Sequence, residues 1–289
     1  MGKLHDRMLQ YMELRGYSHH TINMYLGHMV RFVRHLGRSP DTAGSEEIRS
    51  YLHYLIKERA LAQGTIGQAY CALRLFYETI LDRTWDEKHI PRTRHQRRLP
   101  AVLSPTEIEA IFSSLRNLKH RALLMTIYSG GLRCMEALQL QVSDIDSDRM
   151  LIQVRQGKGN RDRYTLLSKR ALMALRKYWL HYRPESWLFP GRKPGTHLAT
   201  CSARLMFKQA LDRSGVTKSA SLHTLRHSFA THLLESGTNL YHIQRLLGHA
   251  RTRSTAVYLH VASTDLARIV SPMDRVQDAA SPTTKPPPT

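Results

Sequence analysis

Acidic side chains are scarce in this sequence: 23 Asp and Glu stand against 43 Lys and Arg in 289 residues, a formal charge of +20 at pH 7. A chain so poor in carboxylates does not suit two-metal hydrolysis, whose ions need clustered acidic ligands. Its positive excess points instead to a polyanion held through phosphate contacts and counterion release. Cysteine is sparse too. Cys71, Cys134 and Cys201 are odd in number and far apart, which excludes a disulfide framework and a zinc ribbon. No apolar run reaches the roughly 18 to 20 residues of a membrane span, and the start, Met1-Gly2-Lys3-Leu4-His5-Asp6, lacks a signal-peptide core. A cytoplasmic location is therefore expected. The patterns G-x-x-x-x-G-K-[ST], G-x-G-x-x-G and H-E-x-x-H are all missing, so the expectation is no cofactor and no metal.

What is present is a 42% hydrophobic chain long enough for two packed domains. Residues 1–84 read as four helices, at about Leu4 to Leu14, Ser18 to Leu36, Ser45 to Arg59 and Thr65 to Leu81, because apolar residues recur every three or four positions. Ser18, Ser45 and Thr65 suit the N-cap position, and Gly16 and Gly37 suit helix ends. Tyr51, Tyr54, Tyr70 and Tyr77 fall at helical spacing and read mainly as core or rim. Over 85–103 the periodicity fades into a basic interdomain linker carrying Arg92, Arg94, Arg97 and Arg98. Such a run is either a solvated loop or a set of phosphate contacts.

The second domain, 104–271, opens on Ser104-Pro105-Thr106-Glu107, a capping box with proline at the first helical position. Helices are expected at about Pro105 to Leu115, Leu118 to Tyr128 and Leu132 to Leu140, the last carrying Arg133 and Glu136 on one side. Met150 to Val154 and Arg163 to Leu167 read as two antiparallel strands joined by the glycine-flanked turn Gln156-Gly157-Lys158-Gly159-Asn160-Arg161. Helices resume at Ser168 to Tyr182 and Ala199 to Arg213. In the helix that follows, a rotation of about 100° per residue puts Leu222, Leu225, Phe229 and Leu233 on one face and His223, Arg226, His227 and Ala230 on the other. Gly237 ends it and Thr238 is placed to cap the next, which buries Leu240, Ile243, Leu246 and Leu247 and turns Gln244 and Arg245 outward. Residues 272–289 form a proline-rich tail. The fold class is thus mostly α, with a helical first domain and a second one carrying a small antiparallel sheet.

Six polar residues then stand in order: Arg133 in GGLRCMEAL, Lys158 in its glycine turn, His223 and Arg226 in LHTLRHSFATHLL, His249 after Gly248, and Tyr258. Guanidinium forks match the charge of an attacked phosphate, which suits Arg133 and Arg226. A phenol with pKa near 10 needs a base or a positive field to act as nucleophile, and His223 and His249 are the candidates to help Tyr258. Taken singly, each has an ordinary explanation. Arg133 can simply pair with Glu136, Lys158 can be a solvated turn residue, His249 can cap a helix, Tyr258 can be core, and His223 with His227 has the i, i+4 spacing of a zinc pair without a third ligand.

Over about Ser104 to Val261, and most specifically at LHTLRHSFATHLL, the sequence resembles the tyrosine site-specific recombinases, the family of phage integrases, integron integrases and Xer recombinases. The resemblance implies a helical SAM-like core-binding domain and a catalytic domain closing on duplex DNA. It implies cleavage through a covalent 3′-phosphotyrosine, with Lys158 as general acid for the leaving 5′-oxygen and Glu136 in an orienting role. It also implies a tetrameric synapse on two recombination sites, with a C-terminal segment docking in trans; here that helix, Thr264 to Val270, is short and followed by Pro272. Candidate DNA contacts are Arg92, Arg94, Arg97 and Arg98 in the linker, Arg161 in the turn, and Gln244 and Arg245. The chain starts directly with the helical domain and shows no long insertion, so a Xer-like or mobile-element recombinase is expected. A type IB topoisomerase, giving relaxed circles without recombinants, and a non-catalytic DNA-binding protein of the same fold stay open.

Overall fold

In the computed structural model the described residues are 2–92, 100–157, 161–249, 253–256 and 258. The chain divides into two compact units, 1–97 and 98–289.

The first unit consists of α1 (Lys3–Leu14), α2 (His19–Leu36), α3 (Ser45–Lys57) and α4 (Gln63–Leu75), which widens into a π turn over Phe76–Ile80. Ser18 caps α2 as expected, its side chain accepting from the Thr21 amide, and Gly37 closes that helix in the left-handed region. The other two expected caps are displaced. Gly44 caps α3, its amide donating to Glu47 Oε2 at 2.6 Å, and Ala62 precedes α4. A carboxylate three residues on satisfies the start of α3 without a capping hydroxyl, so Ser45 falls inside that helix; Thr65 falls inside α4, which starts without a side-chain cap.

The core of this unit is aromatic. Phe32, Tyr51, Tyr70, Tyr77 and Trp85 are buried; Tyr77 donates to the Pro40 carbonyl at 2.5 Å and Trp85 Nε1 to the Tyr70 hydroxyl at 2.9 Å. Trp85 and Ile90 are buried here although the periodicity had already faded, so the packed unit reaches beyond residue 84. Isolated apolar residues dock there without a helical repeat to announce them.

In the second unit the capping box at Ser104 forms on both sides, Ser104 Oγ accepting from the Glu107 amide and Glu107 Oε2 from the Ser104 amide. It starts α5 (Pro105–Ser113). The helices α6 (Leu118–Gly130), α7 (Cys134–Leu138), α8 (Lys169–Tyr182), α9 (Thr200–Ser214), α10 (Leu222–Glu235), α11 (Leu240–Leu247) and α12 (Arg253–Ala256) follow. Beyond its basic first turn, α6 is buried from Ala122 to Ile127 and packs against both α8 and α10. The sheet has three antiparallel strands, β1 (Ile145–Asp146), β2 (Leu151–Gly157) and β3 (Arg161–Leu166), in the order β1-β2-β3. The additional strand is only two residues long, too short to show alternation. In the β2–β3 register Ile152 faces Thr165 and Val154 faces Arg163.

Two further expectations need correction. The helix expected from Leu132 starts only at Cys134: Arg133 is the N-cap of α7, and Glu136, three residues on, meets it on the same side. Asn239 rather than Thr238 caps α11, accepting from the Tyr241 amide.

One glycine fixes the geometry where α6 turns into α7. Gly131 has φ +57°, and a Cβ there would lie 2.3 Å from Phe229 Cδ1 and 3.0 Å from Leu247 Cδ2. Backbone strain and steric overlap therefore act together. Gly131→Ala is expected to destabilise the chain by about 2 kcal/mol or more, read as a lower urea midpoint with an unchanged m-value.

Candidate active site

Helix α10 positions the site because one of its faces is locked into the hydrophobic core by Leu222 and Leu225. The opposite face is withdrawn from solvent beyond His223 at its rim. Arg226 is only 1% exposed, and its guanidinium is held on several sides. Nη1 donates to the Gly131 carbonyl at 2.8 Å and lies 3.5 Å from Glu136 Oε2, while Nη2 donates to the Leu247 carbonyl at 2.7 Å and to His249 Nε2 at 3.1 Å. The carbonyl acceptors belong to the ends of α6 and α11, where helix termini leave C=O groups unpaired and carry partial negative charge.

Glu136 gathers the arginines. Its carboxylate accepts from the Arg133 amide at 2.8 Å and Arg133 Nη1 at 2.6 Å, and from Arg163 Nη1 and Nη2 at 3.0 and 2.7 Å. Arg163 also donates from Nε to the Leu246 carbonyl at 2.9 Å. Burial alone pushes the Glu136 carboxyl up, but the hydrogen bonds and charge of Arg163, then those of Arg133, outweigh it and hold the group at about 2. Three guanidiniums around one carboxylate leave a surplus of two positive charges. Burial and then the Arg133 charge lower Arg226 to about 10, which keeps it charged at neutral pH. Of the three, Arg133 has the most exposed side chain.

The imidazoles are neutral by the same physics. Because Arg226 can only donate, His249 Nε2 accepts, so the His249 proton sits on Nδ1, 2.9 Å from Thr255 Oγ1. Burial, then Arg226, Arg133 and Arg163, lower its pKa to about 4. His227 is likewise lowered to about 4 by burial, then by His223 and Arg226. His223 stands at the exposed rim; crowding against its ring, then Arg226 and Arg133, lower its pKa as well. Tyr258 is 2% exposed and packs with Phe229, Ala230, Ile243 and Leu247. Burial raises its pKa, and Arg226 and Arg133 pull the other way. Its hydroxyl lies 3.1 Å from His227 Nδ1, and its ring is nearly parallel to that of His249 with centroids 6.5 Å apart.

The chain that carries this buried phenol and arginine cage has counterparts among known proteins. The pattern of the Phage integrase family matches residues 101–265, and that of the Phage integrase N-terminal SAM-like domain matches residues 4–87. The chain belongs to the phage integrase family of tyrosine recombinases. Relatives at full length agree: y4qK of Sinorhizobium fredii, which carries an integrase/recombinase name, is 41% identical over 95% of this chain and 89% of its own. The tyrosine recombinase XerD of Halalkalibacterium halodurans is 30% identical over 86% and 90%. Among solved structures, a lambda integrase tetramer bound to a Holliday junction has the same fold, with a TM-score of 0.72 at 21% identity, covering 88% of this chain and 76% of that one. The protein is accordingly an enzyme of site-specific DNA recombination.

The recombinase fold thus brings five of the six ordered residues into one cluster: Arg133, His223, Arg226, His249 and Tyr258. Lys158 lies outside the described residues, as do Arg94, Arg97 and Arg98 and the side chain of Arg161. Arg92 is described and exposed. Arg245 is exposed with its guanidinium 5.9 Å from the Tyr241 ring centroid, whereas Gln244 is half-buried and donates to the His249 carbonyl at 3.1 Å. Gln244 therefore does not simply face outward; it ties down the segment that carries His249. Arg163, Thr255 and the His227–Tyr258 contact were not anticipated. Strand alternation was the available signal for Arg163, because it shares the inner face of β3 with buried Thr165. Among the described residues no group of three His, Cys, Asp or Glu side chains is placed to hold a metal ion.

A carboxyl held at about 2 instead of 4.5 contributes stability that is complete above pH 4.5 and is lost as the pH falls through 2. Glu136→Gln in this recombinase is expected to cost about 3 kcal/mol at neutral pH. Urea midpoints measured against pH should show the gap to the parent narrowing only below pH 4.5.

Proposed function

We propose that this recombinase cleaves and rejoins duplex DNA with Tyr258 as nucleophile, forming a 3′-phosphotyrosine that a second strand's 5′-hydroxyl resolves. The observation that carries the reading is the surplus of two positive charges that Arg133, Arg163, Arg226 and Glu136 create beside the buried phenol. A phosphodiester carries one negative charge, and its five-coordinate transition state concentrates more on the non-bridging oxygens. A preorganised, water-poor positive site binds that second state more strongly than the first. Arg133, the more exposed guanidinium, contacts those oxygens. Arg226 contributes charge from within, with both terminal nitrogens already bonded to the protein.

In this scheme Glu136 orients the arginines, His249 spaces Arg226 from Thr255, and His223 faces the phosphate from the rim. Lys158, which the sequence places between β2 and β3, protonates the leaving 5′-oxygen. The energy of the broken phosphodiester is stored in the phosphotyrosine bond. The basic segment around Arg92, Arg94, Arg97 and Arg98, with Arg161 and Arg245, would hold the DNA backbone. A tetrameric synapse is supported by the lambda integrase assembly on a Holliday junction. The greater identity to an integrase/recombinase than to XerD supports an integrase-like role within the family. The relatives named above are integrases and recombinases, which supports strand exchange over topoisomerase-like relaxation.

The test begins by trapping wild-type protein covalently on fragmented host DNA and sequencing what is attached. A nicked suicide duplex of that site then reports chemistry. Wild type is expected to give a denaturant-stable adduct, and Tyr258→Phe to bind the duplex without forming one; an adduct from that variant would sink the assignment. Arg226→Ala is expected to lose on the order of 10²- to 10³-fold in cleavage rate with little loss of binding, measured by single-turnover cleavage beside gel shift. Relaxed circles without recombinant products would identify a topoisomerase.

A further inference from the structure

One half-buried ionisable group that the scheme above leaves without a role touches the reacting oxygen. His227 Nδ1 is 3.1 Å from Tyr258 Oη. The two imidazoles expected to assist the phenol are otherwise placed. His249 has both ring nitrogens committed, to Arg226 and to Thr255. His223 meets His227 ring to ring, with centroids 4.5 Å apart and planes at 79°. From this geometry we propose that His227 is the catalytic proton acceptor for the Tyr258 hydroxyl, carrying its own proton on Nε2 and turning the Nδ1 lone pair to the phenol. The proposal rests on Tyr258 being the nucleophile and adds the identity of the base.

The scaffold holds the pair in register. His227 directly follows Arg226 on α10, so the residue that carries cage charge and the residue that faces the phenol share one rigid helix. Phe229 and Ala230 of the same helix pack with Tyr258. The groups facing His227 are His223 and Arg226 from its own helix, His249 from the end of α11, and Tyr258. Burial first, then His223 and Arg226, keep the imidazole neutral at physiological pH, so the lone pair is available.

A neutral imidazole in a positive field is a weak base, and by itself it would leave the phenol protonated. Two things change when a phosphate enters. Negative charge develops beside Arg133 and Arg226 and offsets the field that disfavours a protonated His227. At the same moment the attacking phenol becomes acidic as its oxygen bonds to phosphorus. In balance, the Oη–P bond forms and the P–O5′ bond breaks, the phenol proton passes to Nδ1, and the 5′-oxygen takes a proton from Lys158. Rejoining reverses each transfer, with His227 returning the proton to Oη.

The test uses the full chain and two versions of the trapped nicked site, one with the ordinary 5′-oxygen and one with a 5′-bridging sulfur at the cleaved bond. A thiolate leaves without an acid, so Lys158→Ala should recover on the sulfur substrate. His227→Asn, which keeps a hydrogen-bonding oxygen near the Nδ1 position but cannot take a proton, and His227→Gln should bind normally. Both should cleave on the order of 10²-fold more slowly on both substrates, and both should lose the acid limb of the wild-type pH–rate profile.

Parental rates in those variants, with Tyr258→Phe inert, would overturn the assignment of His227 and leave the nucleophile untouched. Adduct formation by Tyr258→Phe would overturn both. If neither His227 variant folds, ¹⁵N spectra of wild-type histidines decide: a His227 proton on Nε2 upholds the proposal and one on Nδ1 overturns it.

Discussion

The Glu136 carboxylate is the constraint around which the second unit is organised. It is buried, and it is shared by guanidiniums that arrive from the start of α7, from β3 and from α10. Without it, three like charges would sit within a few ångströms in a medium that screens poorly, an arrangement costing several kcal/mol per unpaired ion. With it, segments about thirty and ninety residues away are pinned to one point. Burying an ion pair is seldom the most economical way to stabilise a fold, since apolar replacements of similar volume often do as well. Retaining one here fits a need for charge at that place.

The remaining compensation comes from the backbone. The carbonyls of Gly131, Leu246 and Leu247, all at helix ends, accept from Arg226 and Arg163. Helix termini pointing their negative ends at arginines lower the cost of keeping those charges dry without neutralising them. Only a planar fork with several fixed donors can bridge a carbonyl on one helix, a carbonyl on another and an imidazole at once, so lysine is not an equivalent at Arg226. The close approach also explains why small residues flank the cage. Gly131 leaves room for Phe229, and Gly248 has φ +62° with Arg163 Cδ 2.9 Å from where a Cβ would stand.

Much of this was legible in the sequence, for identifiable reasons. The helices were visible because a core needs an apolar stripe, and the capping box at Ser104 because two reciprocal hydrogen bonds demand those residue types. The ordered polar residues announced phosphate chemistry because few other tasks need arginines, histidines and a tyrosine in such company. What stayed hidden was set by tertiary contact. Glu47 replaced the hydroxyl expected to cap α3, and the two residues of β1 are too few to alternate. Trp85 and Ile90 fill an aromatic core from outside any periodic segment. His227 was in plain view at i+4 from His223, but only the position of Tyr258, thirty-one residues on, distinguishes a proton acceptor from a zinc pair.

The cage is incompletely compensated by design of the fold, and that bears on how the enzyme stays inert without DNA. Its phenol is buried, with a pKa pushed up by its surroundings, and its imidazoles are held neutral. No group in the cluster is therefore ionised in a way that would start chemistry by itself. The missing component is negative charge, and the substrate carries it. A phosphodiester entering the cage would relieve the repulsion among the arginines and lift the penalty on protonating an imidazole. The free energy of satisfying the site thereby becomes available where charge accumulates in the transition state. Linkage then requires that an anion bound in the cage stabilise the folded chain. Stability and activity consequently pull against each other at Arg133, Arg163 and Arg226: an acidic neighbour that neutralised the surplus would stabilise the resting protein and remove its hold on phosphate.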